Sequence, residues 1–137
     1  MEIRRSAEDY LEMMLMLHEK HGYIRSIDIA DELGFKKPSV SYATKRLREN
    51  GYITVGQDNL ITLTPAGMAI ASHMYQRHQV LTEFLMALGV DSETARTDAC
   101  KLEHDLSEQS FAAIRKHAET LRLNKIPAKR NDNEGDG

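Results

Sequence analysis

Between Ser26 and Leu63 the chain carries a succession of local signals that few folds accommodate. Ile29, Ala30 and Leu33 fall at helical spacing and stop at Gly34, so they read as one short helix. Pro38 then opens a second. Proline is suited to the first turn of a helix, where its missing N–H costs nothing. Val40, Ala43 and Leu47 form the inward stripe of that helix, which closes at Asn50-Gly51. Next come Tyr52-Ile53-Thr54-Val55 and Leu60-Ile61-Thr62-Leu63, rich in β-branched and apolar residues, on either side of Gly56-Gln57-Asp58-Asn59. That is a hairpin. Two short helices around a glycine-containing turn, followed at once by a hairpin, predict a winged helix-turn-helix.

The flanks complete a mainly α chain with a small β-hairpin wing. Ser6 and Asp9 form a capping box before Leu11, Met14 and Leu15, which predicts a helix from about Ser6 to His21, stopped by Gly22. Ser26 is the expected cap of the next helix. Thr64 and Pro65 open a long fourth helix ending near Leu88-Gly89, with an apolar stripe wide enough for a dimer seam. A fifth helix starts at Asp91 or Ser92 and is expected to reach about Leu106. A sixth, capped by Ser107, buries Phe111, Ile114, Ala118 and Leu121. The expected division is a winged helix-turn-helix DNA-binding domain at 1–73, a helical metal-binding and dimerisation domain at 74–123, and a disordered polar tail at 124–137.

Composition narrows the function. The net charge of −3 does not suggest nucleic-acid binding, but its distribution does. From Lys36 to Arg48 there are five basic residues and no acidic one, and a local positive patch is what phosphates require. A helix lying in the major groove reads bases from near its N-terminus. Pro38, Ser39, Ser41 and Tyr42 occupy that stretch, with Lys36 and Lys37 just before it and Lys45 and Arg46 placed further along for phosphates. Tyr42 has an alternative place, packed on the wing. No apolar run approaches the ~20 residues that span a bilayer, and no secretory signal follows Met1. The single cysteine excludes an intrachain disulfide. A cytoplasmic protein without membrane contact is expected.

Cys100, Glu103 and His104 lie at i, i+3 and i+4, so a helix presents them on one face. Thiolate, carboxylate and imidazole together are metal ligands. A metal site beside a DNA reader implies a metal-sensing transcription regulator. An enzyme is not expected: Cys100 and His104 lack an orienting third residue and an oxyanion-hole motif. The alternative is a winged-helix regulator that senses oxidation or a small molecule through Cys100.

The chain also resembles the diphtheria toxin repressor/manganese transport regulator family, over roughly Ser6 to Leu121. The resemblance is carried by Glu8-Asp9-Tyr10-Leu11-Glu12, Asp28-Ile29-Ala30, Pro38-Ser39-Val40-Ser41, Leu63-Thr64-Pro65-Ala66-Gly67, Arg77-His78 and Asp98-Ala99-Cys100-Lys101-Leu102-Glu103-His104. It implies a homodimeric repressor of metal-uptake genes on a palindromic double-stranded DNA operator. It implies Mn(II) or Fe(II) as co-repressor, with Co(II) or Zn(II) able to substitute in vitro. It implies Asp9, Glu12, His78, Cys100, Glu103 and His104 as ligands. Two departures stand out. Iron-responsive members tend to have methionine at the Asp9 position and cysteine at the Cys100 position; manganese-responsive members tend to have aspartate and glutamate. Here the two types are mixed. The carboxylate and histidine of a further site in iron-type members are replaced by Thr82 and Arg96. The chain also ends before the SH3-like third domain of the longer members.

Overall fold

The computed structural model describes the backbone of residues 5–134 and the side chains of residues 6–121. Its elements run α1 (Arg5–His21), α2 (Ser26–Leu33), α3 (Lys37–Glu49), β1 (Ile53–Val55), β2 (Ile61–Leu63), α4 (Pro65–Ala87), α5 (Ser92–Leu102) and α6 (Glu108–Glu134). The chain divides into two units, Met1–Tyr75 and Gln76–Gly137.

In the first unit the apolar spacing of α1 becomes its buried face: Tyr10, Leu11, Met14, Leu15 and Leu17. Ile29 and Ala30 of α2, Val40 and Leu47 of α3, Ile53, Ile61 and Ala71 join the same cluster. Removing each large aliphatic side chain from water contributes about 1.5–3 kcal/mol, which offsets the entropy of ordering these short elements. The wing is an antiparallel pair in the register Ile53↔Leu63, Thr54↔Thr62 and Val55↔Ile61. Its turn is closed by Gly56 N–H to Leu60 O and Asn59 N–H to Gly56 O, both 3.0 Å. Asn59 takes the left-handed conformation there. The α3 exit is a Schellman turn: Gly51 has φ +83°, and Tyr52 N–H reaches back to Leu47 O at 3.0 Å.

Several helix ends differ from expectation. α1 already includes Arg5, so Ser6 lies inside its first turn and does not cap it. Ser26 does not cap α2 either. The N-cap position is Arg25, which has no acceptor to offer the helix, and its guanidinium instead pairs with Asp28 at 2.9 Å. Thr64 does cap α4, its hydroxyl accepting from Gly67 N–H at 3.2 Å while donating to Gly51 O at 2.7 Å.

In the second unit, Leu81, Ala99 and Phe111 are buried together, with Val80, Leu106 and Ile114 packed around them. Asp91 caps α5 by accepting from Thr94 N–H at 3.1 Å, and the Thr94 side chain, with this amide, holds the Asp91 carboxyl below its ordinary pKa. α5 stops at Leu102, short of the expected Leu106. The Arg77 guanidinium takes the carbonyls of Glu103 and Leu106, which a continuing helix would have used itself. Ser107 caps α6 as expected, accepting from Ser110 N–H at 3.0 Å. α6 is helical past Leu123 to Glu134, so its backbone continues through most of the tail expected at 124–137. A polar composition withholds a core but does not stop a helix already nucleated, and α6 continues through Pro127. The side chains of that tail, and residues 135–137 altogether, lie outside the described residues.

Candidate metal centre and DNA-reading face

Each unit has its own candidate donors. In the first, Asp9 and Glu12 stand one turn apart on α1 and bring carboxylate oxygens within 4.8 Å of one another. Glu12 is buried although it shares its helix with Leu11 and Met14. A carboxylate in that position is costly unless something compensates its charge.

In the second, α4 supplies His78, the end of α5 supplies Glu103, and the following turn supplies His104. The Glu103 side chain is fully buried, at 0% exposure. His78 Nδ1 is 3.0 Å from its Oε1, and His104 Nε2 is 3.7 Å from its Oε2. The structure thus joins His78 to the pair Glu103 and His104, although twenty-five residues separate His78 from Glu103. Cys100 lies one turn before Glu103 with an exposed side chain. The donor chemistry fits a divalent transition metal. A buried hard oxygen between two imidazoles suits Mn(II), Fe(II), Co(II) or Zn(II), whereas Ca(II) takes an all-oxygen shell.

The other histidines expected at the surface, His18, His21, His73 and His117, are exposed. His21 stacks on Tyr23 with ring centroids 5.4 Å apart, and His117 meets the Phe84 ring edge-on.

All eight candidate DNA contacts, Lys36, Lys37, Pro38, Ser39, Ser41, Tyr42, Lys45 and Arg46, are exposed along α3 and its N-terminal approach. Tyr42 is not packed on the wing. It is 65% exposed, with the Arg46 guanidinium 5.9 Å from its ring centre. The opposite face of α3 holds the helix in place: Val40, Thr44 and Leu47 are buried, and the Thr44 hydroxyl donates to Val40 O at 2.7 Å. Burying one face this firmly fixes which side chains the other face offers.

Sequence reasoning assigned no role to Arg77, which the structure buries beside Glu103. Its only signal was its place directly before His78.

Two family models match the chain. The iron dependent repressor N-terminal DNA binding domain covers residues 2–59. The iron dependent repressor metal binding and dimerisation domain covers residues 64–125. The transcriptional regulator MntR of Salmonella typhimurium is 36% identical over 111 residues, spanning 81% of this chain and 71% of that protein. The HTH-type transcriptional regulator MntR of Bacillus subtilis is 36% identical over 109 residues, spanning 80% and 77%. Among solved structures, a manganese-dependent transcriptional repressor in complex with manganese superimposes with a TM-score of 0.75 at 28% identity, over 82% of this chain and 52% of that one. The manganese regulator SloR gives 0.73 at 27% identity, over 82% and 53%. The chain spans about half the length of these two solved proteins. Its relatives are transcriptional regulators, not enzymes. Among the described residues no helix is long and apolar enough to cross a membrane. With a DNA-binding and a metal-binding model matched in order along its length, the chain belongs to the diphtheria toxin repressor/manganese transport regulator family of metal-dependent transcriptional repressors.

Proposed function

We propose that this protein is a cytoplasmic, homodimeric repressor that binds a palindromic operator when Mn(II) or Fe(II) is plentiful and so silences metal-uptake genes. The observation that carries the reading is the fully buried Glu103 carboxylate between His78 and His104. The proposed ligands are Asp9 and Glu12 from α1, His78 from α4, and Cys100, Glu103 and His104 from α5 and the turn after it. A bound divalent ion would supply the positive charge that the buried Glu12 and Glu103 carboxylates need. For these residues to act as a sensor, they must bind metal more tightly in the DNA-competent state than in the other. Asp9 is a hard donor favouring manganese and Cys100 a softer one favouring iron, cobalt or zinc.

On DNA, Ser39, Ser41 and Tyr42 reach base edges in the major groove. Lys36, Lys37, Lys45 and Arg46 hold phosphates. Dimerisation sets two such helices about 34–36 Å apart, one turn of the duplex. Met86, Leu88 and Leu102 in the second unit are large apolar side chains left exposed, as a dimer seam requires.

The test is to titrate metal-free protein with Mn(II), anaerobic Fe(II), Co(II) and Zn(II) while following binding to genomic DNA fragments at fixed salt. Metal-dependent binding that Glu103→Ala and His104→Ala abolish, with helical content unchanged, is the expected outcome. Binding indifferent to every metal overturns the reading. If it also responded to peroxide, Cys100 would become the sensor.

A further inference from the structure

The end of α5 has a feature that apolar packing does not require. Arg77 is 4% exposed in a unit whose buried apolar cluster is small. Its Nη1 donates to Glu103 O at 2.9 Å and to Leu106 O at 2.8 Å. Its Nη2 donates to Glu108 Oε1 at 2.8 Å, and the Phe111 ring centre lies 4.9 Å from its Cζ. One guanidinium therefore spans the whole turn from Glu103, the residue after α5, to Glu108, the first of α6. Two of its bonds fall on backbone, one of them on the carbonyl of Glu103 itself. The side chain of that same residue meets His78, the neighbour of Arg77 on α4.

We infer that Arg77 is a positioning residue for the metal centre. By clamping the Glu103–Leu106 turn, it holds the Glu103 carboxylate and the His104 ring in a ligand-ready arrangement before metal arrives. The geometry depends on the fork. A guanidinium presents five N–H groups in one plane and can satisfy two carbonyls and a carboxylate together. A lysine ammonium carries the same charge but cannot spread over the turn. The Glu108 carboxylate, 76% exposed, anchors the outer edge of the fork and matters less. Loss of a partner that orients ligands typically weakens metal binding by about 10–100-fold.

This inference rests on the metal-sensor reading, and its test separates the two. Mn(II) affinity is measured by competition with a fluorescent chelator for the wild type, Arg77→Lys and Glu108→Ala. The visible absorption of the Co(II) forms is recorded alongside, with circular dichroism as the check on folding. Arg77→Lys is expected to stay folded, to bind Mn(II) about tenfold or more weakly, and to alter the Co(II) spectrum, which a merely structural role would leave unchanged. Glu108→Ala is expected to weaken binding about two- to fivefold. A wild type that binds no metal sinks the sensor reading. A wild type that binds, with Arg77→Lys matching its affinity and Co(II) spectrum, sinks the positioning role alone. Should Arg77→Lys not fold, Glu108→Ala decides, and unchanged affinity there overturns the proposal.

Discussion

The two units of this chain use their interiors differently. Among the described residues, the first buries thirteen apolar side chains in one cluster drawn from all its elements, whereas the cluster of the second holds three. The second also buries Arg77 and Glu103, charged groups that water would otherwise solvate. Apolar burial stabilises whatever the solution contains. Buried charge stabilises only when its partners are in place, and is costly when one is removed. The first unit is thus built to hold its shape unconditionally, as a DNA-reading surface must. The second relies on its buried charges keeping their partners. Glu12 is the informative exception, a buried acid in the first unit and one of the proposed ligands.

The sharpest way to break this contrast is a matched pair of truncations. Leu11 and Leu81 are both almost fully buried, one in each cluster. Leu11→Ala should cost about 3–5 kcal/mol in chemical denaturation, toward the upper end for such changes, because its densely packed surroundings cannot collapse. Leu81→Ala should cost less, about 2–3 kcal/mol, because a small cluster relaxes more readily. The reverse order would show that the second unit is the better packed.

Gly67→Ala probes how tightly the first unit is closed around its wing. A methyl group there would sit 2.0 Å from Tyr52 O, a backbone atom that already accepts from Thr64 N–H at 3.1 Å. Alanine normally favours a helix over glycine by about 1 kcal/mol. Here the collision should reverse that sign and destabilise by about 1–3 kcal/mol, read as a lower melting temperature. A neutral or stabilising result would mean that the α4 start can slide away from the wing.

How much was legible beforehand follows the same division. α3, the wing and the stripe of α1 could be read because apolar period, Pro38, Gly34 and Gly51 all act within a few residues of where they occur. The exposed set on α3 followed from the stripe opposite it. Cys100, Glu103 and His104 were visible as a spacing, but the contact of Glu103 with His78 is long-range, and local pattern cannot specify it. The early stop of α5 was hidden for the same reason, since it depends on a guanidinium twenty-six residues upstream. Caps were misjudged where tertiary partners competed: Ser26 looked like a cap until Arg25 and Asp28 paired across it. The ligand roles of Asp9, Glu12 and His78 came from the family resemblance rather than from spacing.

The smallest expected effect concerns acid. One carboxylate in each unit is held below its ordinary pKa, Asp28 by hydrogen bonds from Arg25 and Asp91 by the Thr94 side chain and amide. A depressed folded-state pKa means that the charged form is favoured by folding. The stabilisation is complete above the unfolded value of about 3.9 and disappears as pH falls through the lower folded value. Both groups are solvent-exposed, so each contribution is small and, for Asp28, weakened by salt. Asp91→Asn should separate charge from capping, because asparagine still caps a helix but does not titrate there. Its melting temperature should stay near wild type at neutral pH and fall less steeply below about pH 4. Asp28→Asn should instead lower it slightly at neutral pH, since the ion pair with Arg25 is gone, and also flatten the acid limb. If neither substitution changes the slope, the acid sensitivity of the fold does not come from these surface carboxylates.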